Sequence, residues 1–297
     1  MDTGLGTIIT AAVTPFDEHG AINLDAFRAL LRHLAATGSD GVVVTGTTGE
    51  SPTLRDDEKL LLWRTAVEEL GGTIPVIAGT GSNDTSHTIE LTRLACEAGV
   101  DGVLVVTPYY NKPPREGLIK HFTAVARASS VPVILYNIPG RVVINLEPDV
   151  IAELAKLDNV VAIKQAQPDL EQLREIKRLA PDLAIYAGDD DSFYPMLQEG
   201  AIGVISVASH IVGAEMARVL ELWNANERND AHALSNELLD VYETLAITSN
   251  PIPVKAALNL MGLDAGTVRL PLVDATALQT ERIRSMMSRH NLVTTPA

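Results

Sequence analysis

Residues 102–137 read GVLVVTPYYNKPPREGLIKHFTAVARASSVPVILYN, and this stretch decides how the rest of the chain is interpreted. It begins and ends with short β-branched runs, residues 102–107 and 131–137, whose apolar residues are continuous rather than alternating. Such runs are typical of parallel strands that are buried on both faces. The segment between them, residues 115–129, has the apolar spacing of an amphipathic helix. The stretch therefore predicts a βαβ unit, in which a helix connects two parallel strands.

The same alternation runs through most of the chain. Eight strands are predicted, at residues 7–13, 41–45, 74–79, 102–107, 131–137, 160–164, 183–188 and 202–207. Amphipathic segments lie between them, and the first begins near Asn23, a residue type suited to an N-cap. Eight units in succession favour a closed (β/α)8 TIM barrel over an open doubly wound sheet, which more often has fewer strands and a break in the pattern.

The strand pattern stops after residue 207, and the remainder has the apolar spacing of three or four helices. We therefore divide the chain into a catalytic barrel, residues 1–210, and a C-terminal helical region, residues 211–297. No Pro/Ser-rich linker separates them, so the helical region is expected to pack against the barrel.

Composition excludes several classes of partner and site. The net charge of −15 repels phosphate backbones and anionic lipid surfaces, so neither nucleic acid nor membrane is an expected partner. A single cysteine, Cys96, allows neither an intrachain disulfide nor a thiolate-rich metal site. The N-terminus has no basic region of a signal peptide, and no apolar run approaches the roughly 18 residues of a membrane span. These features predict a cytoplasmic protein.

In a barrel of this kind the reactive groups gather at the carboxyl ends of the strands. Lys164 ends the apolar run at residues 160–163, where burial disfavours the charged amine and a neutral amine can attack a ketone. A buried ion pair is the alternative for Lys164. Lys255 also has apolar neighbours, but it lies in the C-terminal region, where a lysine with a buried stem and a solvated or paired head is the favoured interpretation.

Other strand ends carry polar groups that suit an anionic substrate. The turn Gly46-Thr47-Thr48-Gly49 offers backbone N–H groups and hydroxyls to a carboxylate, although a plain βα turn explains it equally. Tyr136 and Tyr110 are phenols able to relay protons, or simply packing residues. Arg141 is placed to hold a second carboxylate, or lies on the surface.

The patterns of metal and nucleotide sites are missing from the sequence. Asp189, Asp190 and Asp191 are interpreted as a helix cap rather than as metal ligands. The histidines show no zinc spacing, and neither a dinucleotide fingerprint nor a Gly-Lys-Ser/Thr loop occurs. We expect no cofactor.

Five motifs resemble the dihydrodipicolinate synthase/N-acetylneuraminate lyase superfamily in order and spacing. They are GTTGES at 46–51, TPYYN at 107–111, YNIP at 136–139, IK at 163–164 and NPIPVK at 250–255. The resemblance covers almost the whole chain and is strongest to members that condense pyruvate with L-aspartate 4-semialdehyde in lysine and diaminopimelate biosynthesis. It implies that Lys164 forms a Schiff base with pyruvate and that Tyr136 donates and accepts protons.

The same resemblance assigns the remaining site residues. It implies a proton relay completed by Thr47 and Tyr110, with this tyrosine supplied by a neighbouring subunit, and hence a homo-oligomer, either a dimer or a tetramer. Substrate binding is implied for four residues. By this resemblance Thr48 and Ile205 bind pyruvate, Arg141 binds the carboxylate of the semialdehyde, and Gly188 belongs to the substrate-binding set without a named substrate. Because an imine on lysine is itself the electron sink, the chemistry requires neither metal nor organic cofactor.

The chain departs from the family pattern at three places. Val142-Val143 follow Arg141 where Thr-Gly is frequent, Gln165 follows Lys164 where an acid is frequent, and His87 replaces an acid of members inhibited by lysine.

A pyruvate lyase for a sugar acid or hydroxy-oxo acid is the alternative function, which would make no use of Arg141. A barrel that only senses small molecules is the alternative from another class.

Overall fold

The computed structural model describes residues 3–293, and in them a closed barrel of eight parallel strands confirms the predicted TIM-barrel fold. Each strand pairs with its neighbours in chain order, and the last strand pairs with the first. The strands are β1 (Ile8–Ala11), β2 (Gly41–Val44), β3 (Val76–Gly79), β4 (Gly102–Val106), β5 (Val133–Asn137), β6 (Val160–Gln165), β7 (Ala184–Ala187) and β8 (Gly203–Ser206). Every predicted strand run overlaps one of them.

Twelve helices accompany the strands within the same residues. They are α1 (Leu24–Ala36), α2 (Asp56–Leu70), α3 (Thr85–Glu97), α4 (Arg115–Ala128), α5 (Pro139–Val142), α6 (Pro148–Leu154), α7 (Leu170–Leu179), α8 (Phe193–Gln198), α9 (Ser209–Asn224), α10 (Arg228–Leu245), α11 (Ile252–Leu260) and α12 (Ala277–Arg289). The predicted N-cap of α1 is confirmed, because the side chain of Asn23 accepts a hydrogen bond from the Ala26 N–H at 3.0 Å. The short helix α5 was not predicted.

The strands are apolar throughout because each has two buried faces. Alternate residues such as Ile9, Val43 and Ile77 fill the inside of the barrel. The residues between them, such as Val42 and Val44, pack outward against the helices. Burial on both faces removes the alternation of a half-exposed strand, which explains the continuous apolar runs.

Helix α9 completes the barrel, since it contacts both β1 and β8. The predicted boundary after residue 210 falls in the first turn of this helix, and the division into two units stays a prediction. Helices α10, α11 and α12 contact one another, and both α10 and α11 contact α9. Residues 1–2 and 294–297, the ends of the two predicted units, lie outside the described residues. Among residues 3–293 we find no helix that is both long and apolar enough to cross a membrane.

Candidate active site

A cavity of about 480 Å³ opens at the carboxyl ends of the strands and collects most of the predicted site residues. Strand ends and the loops after them contribute six of these residues, Thr47, Thr48, Tyr136, Arg141, Lys164 and Gly188. The opposite wall comes from the C-terminal helical region and includes Tyr242 and Asn250. The cavity therefore lies between the barrel rim and the end of α10.

Lys164 lies near the end of β6, between Tyr136 of β5 and Tyr186 of β7 in the register of the sheet. Its side chain is 5% exposed, and its Nζ is 4.6 Å from the centre of the Tyr136 ring. Within residues 3–293 no carboxylate lies within ion-pair distance of this ammonium, which argues against the buried ion pair. The amine therefore faces the cavity and is open to a substrate.

The three groups of the predicted proton relay are not hydrogen-bonded to one another within the described part of one chain. The Tyr136 side chain is 5% exposed, and its backbone carbonyl accepts hydrogen bonds from the N–H and hydroxyl of Thr107, both at 2.9 Å. Thr47 is half-buried on the loop after β2. Tyr110 is 88% exposed, with a φ of 74°, and lines neither this cavity nor the neighbouring one. One copy of the chain thus leaves Tyr110 on the surface.

The loop after β2 is shaped by its own backbone. The Ser51 N–H donates to the carbonyl of Gly46 at 3.2 Å, and the Glu50 N–H donates to the carbonyl of Thr47 at 3.1 Å. These bonds direct Thr48 into the interior, where it is 2% exposed. Its Oγ1 accepts a hydrogen bond from Asn250 Nδ2 at 3.0 Å.

Two predicted substrate-binding residues lie on the rim. Arg141 sits in α5, is exposed, and lines the cavity with a guanidinium that has no ion pair among the described residues. Gly188 follows β7 and approaches β6 so closely that a Cβ there would lie 2.6 Å from the backbone nitrogen of Ala166. Only glycine fits at that point without moving the neighbouring strand.

The structure does not place Ile205 in the cavity wall. Ile205 is fully buried among the side chains inside the barrel, in register with Ile9. Val207, two residues further along the chain, lines the cavity instead.

The acidic run after β7 divides into two roles. Asp189 lines the cavity, where burial raises the pKa of its carboxyl above the ordinary value, although the nearby cations of Lys164 and Arg141 oppose that rise. The Asp190 carboxylate accepts hydrogen bonds from the N–H groups of Val207 and Ala208, at 3.2 and 2.8 Å. The prediction that this run caps the following helix is wrong, because Ser192 occupies the N-cap position of α8 and no side chain makes a capping hydrogen bond there. Asp190 instead holds the backbone ahead of α9, because its side chain turns toward the neighbouring β8.

Lys255 is not a second nucleophile of this cavity. Its Nζ lies 2.7 Å from Oε1 of Glu50, the side chains are 2% and 1% exposed, and the ammonium donates to the Thr267 carbonyl at 2.6 Å. Burial lowers the pKa of the Lys255 ammonium, and Glu50 opposes that shift. The prediction of a paired head is confirmed.

A second cavity of about 420 Å³ lies on the other side of the loop after β2 and shares Thr47, Tyr136 and Arg141 with the first cavity. Its wall includes His87 and the buried Lys59. The Nε2 of His87 is 2.9 Å from Asp56 Oδ2, and the Lys59 ammonium is 3.9 Å from the other oxygen of that carboxylate. Asp56 is thus already contacted by two basic side chains of the chain itself.

Sequence reasoning missed Asn250 and Asp189 as cavity residues. Asn250 belongs to the quoted motif at 250–255, but it follows a helix, so a search of strand ends does not find it. Asp189 was assigned to a cap because aspartate at a helix start is so often one.

The comparisons with known proteins agree with one another. A model of the Dihydrodipicolinate synthetase family matches residues 4–290. The chain is 49% identical over 290 residues to 4-hydroxy-tetrahydrodipicolinate synthase of Desulforamulus reducens, which covers 97% of this chain and 98% of the relative. A structure of the Cyanidioschyzon merolae enzyme with lysine bound has a TM-score of 0.96 and 43% identity, covering 98% of this chain and 100% of that one.

A further solved structure bears on assembly. It is described as the first monomeric dihydrodipicolinate synthase variant, with a TM-score of 0.95, 38% identity and 98% coverage of both chains. Together the full-length family match and the shared barrel leave one assignment: this chain belongs to the Dihydrodipicolinate synthetase family.

Proposed function

We propose that this protein condenses pyruvate with L-aspartate 4-semialdehyde to 4-hydroxy-tetrahydrodipicolinate, through a Schiff base on Lys164. The observation that carries the proposal is the environment of this lysine. Its amine is buried, faces the cavity at the barrel rim and has no counter-ion within the described residues, while a tyrosine ring lies 4.6 Å away. Relatives of nearly equal length carry the name of this activity.

The first half of the reaction uses pyruvate. After losing a proton, the amine of Lys164 attacks the ketone carbon, and loss of water gives an imine. The imine withdraws electrons from the pyruvate methyl group, which loses a proton to form an enamine. Tyr136 donates and accepts the protons of these steps, and Thr47 connects it to solvent. Thr48 holds the carboxylate through its hydroxyl.

The second half uses the semialdehyde. The enamine carbon attacks the aldehyde carbon, a C–C bond forms, and the alkoxide takes a proton to become a hydroxyl. The amine of the substrate then adds to the imine carbon. The bond from that carbon to Nζ of Lys164 breaks, and Nζ takes up the proton that the substrate nitrogen releases. Lys164 is thereby returned to the free amine. Arg141 holds the carboxylate of the semialdehyde with its paired N–H groups. Gly188 allows the chain to approach closely at the same rim.

The surface position of Tyr110 supports an oligomer. A phenol that is 88% exposed in one chain is available to the site of a neighbouring subunit, where it completes the relay with Thr47 and Tyr136. We therefore propose a homo-oligomer, a dimer or tetramer, in the cytoplasm. The assignment of Ile205 to pyruvate binding is supported only by the family resemblance.

Reduction with borohydride in the presence of pyruvate tests the proposal. One reduced pyruvyl group is expected on Lys164 in a peptide map, and Lys164→Ala is expected to abolish it. Lys156→Met, which alters an exposed lysine paired with Glu153 on the surface, serves as the matched control and is expected to keep the label. Labelling of Lys255 in the unaltered protein would contradict the assignment of the nucleophile.

A coupled assay separates the condensation from other pyruvate reactions. Turnover is expected with L-aspartate 4-semialdehyde and not with sugar acids. Labelling by pyruvate without turnover of the semialdehyde would favour the alternative lyase, and absence of labelling would favour a protein that only binds small molecules.

A further inference from the structure

We propose that Asn250 is a positioning residue of this reaction, whose amide orients the Thr48 hydroxyl so that its proton points at the carboxylate of bound pyruvate. This inference rests on the proposed function, because it requires pyruvate to bind beside Lys164. It gives the C-terminal helical region a direct part in the barrel's site.

The contact is specific in geometry. Asn250 Nδ2 lies 3.0 Å from Thr48 Oγ1, across 202 positions of sequence, and both residues line the cavity that holds Lys164. It is the one side-chain hydrogen bond of Thr48 found within residues 3–293. Asn250 Oδ1 is buried and has no partner in that part of the chain. Thr48 is therefore the one residue in that part of the chain with which the Asn250 side chain forms a hydrogen bond.

The direction of this bond decides what the hydroxyl can do next. The NH₂ group of asparagine only donates, so Thr48 Oγ1 must accept, and its own proton remains available to another acceptor. A pyruvate carboxylate only accepts, and it therefore matches the free proton. The three groups form a chain in which each hydrogen bond polarises the next. Without the amide, the hydroxyl is free to rotate among its staggered positions and toward other acceptors.

A second contact holds the same two segments together. Glu50, two residues after Thr48, lies 2.7 Å from the ammonium of Lys255, and the side chains of the pair are almost fully buried. Glu50 Oε2 also accepts the backbone N–H of Arg269 at 2.9 Å. Residues 250–255 thus contact the loop after β2 at two points, which fixes the distance between Asn250 and Thr48.

A double-mutant cycle with pyruvate alone tests the inference. The readout is the pyruvate concentration that gives half-maximal borohydride trapping at Lys164. Thr48→Val removes a hydrogen bond to a charged group, and this concentration is expected to rise roughly 10- to 150-fold. Asn250→Ala is expected to raise it roughly 3- to 10-fold, the range for one neutral hydrogen bond. In the Thr48→Val background, Asn250→Ala is expected to change it less than about 2-fold, because no hydroxyl remains to orient.

Asn250→Asp is the second variant, because it keeps the size of the side chain and reverses its hydrogen bonding. An ionised carboxylate accepts the Thr48 proton and turns it away from pyruvate. Half-maximal trapping is expected to need more pyruvate than in Asn250→Ala. The matched control is Asn236→Ala, an asparagine of α10 whose amide contacts His232 on the surface, and it is expected to behave as the unaltered protein.

Each outcome bears on one claim. Equal effects of Asn250→Ala in the two backgrounds would overturn the positioning role, as would trapping by Asn250→Asp at the pyruvate concentration of the unaltered protein. If Asn250→Ala fails to fold, the comparison of Asn250→Asp with the unaltered protein decides the matter. Failure of the unaltered protein to trap pyruvate at Lys164 would instead overturn the proposed function.

Discussion

The Lys255–Glu50 ion pair offers a quantitative test of how the C-terminal region is joined to the barrel. Lys255→Met keeps an apolar stem of similar length but leaves the Glu50 carboxylate, 1% exposed, without the cation 2.7 Å away. Breaking a buried pair on one side costs about 3–5 kcal/mol, because an uncompensated charge remains in the interior. For a chain of 297 residues the entropy of unfolding is about 0.6 kcal/mol per kelvin. The melting temperature is therefore expected to fall by about 5–8 °C.

Differential scanning calorimetry at one protein concentration measures this fall. Lys156→Met is the matched control, since Lys156 pairs with Glu153 on the surface and a pair of that kind contributes about 0–1 kcal/mol. Adding Glu50→Gln to Lys255→Met removes the buried charge while keeping an acceptor for the Arg269 N–H, and at least half of the lost stability is expected to return. A melting temperature for Lys255→Met equal to that of Lys156→Met would refute the reasoning.

Three further predictions concern turnover and pH. Tyr136→Phe keeps the ring beside Lys164 but removes its proton, and kcat in the coupled assay is expected to fall about 10²-fold or more; near-normal turnover would remove Tyr136 from the mechanism. Arg141→Ala loses a bidentate contact of about 1.5–3 kcal/mol, so the KM for the semialdehyde is expected to rise roughly 10- to 150-fold while trapping of pyruvate persists. An equal loss of affinity for both substrates would contradict separate carboxylate sites. Burial lowers the pKa of His210 to about 4, whereas an unfolded histidine titrates near 6.5. Between these two pH values the unfolded chain binds more protons than the folded chain. The free energy of unfolding therefore falls as the pH falls from 6.5 to 4, by up to about 1.4 kcal/mol per pH unit for this residue. Thermal unfolding from pH 7 to 4 is expected to show a flatter dependence in His210→Gln and an unchanged one in His19→Gln, whose side chain is 83% exposed, and identical slopes in all three proteins would contradict the assignment to His210.

The fold could be predicted from the sequence because its signals are local and repeated. Each strand of a parallel barrel is buried on both faces, so it appears as an uninterrupted apolar run such as residues 102–107. Eight such runs with helices between them leave few arrangements, and closure of the sheet satisfies both edges. The short helix α5 escaped prediction, because its four residues carry no periodicity of their own.

Lys164 could also be predicted from a local signal in the sequence. A lysine at the end of a buried strand conflicts with its surroundings, and such conflicts often mark function. The sequence could also place the polar residues after the other strands at one rim, since the carboxyl ends of the strands of a parallel barrel all lie at the same end.

Only the tertiary structure decided which distant residues complete the site. Asn250 and Lys255 reach Thr48 and Glu50 because α10 and α11 fold back over the rim, a contact that no local spacing encodes. The sequence established that Lys255 is unusual, but burial and pairing could be assigned only once its partner was located. Local patterns report what each segment must bury, whereas contacts across about 200 residues depend on how the segments pack together.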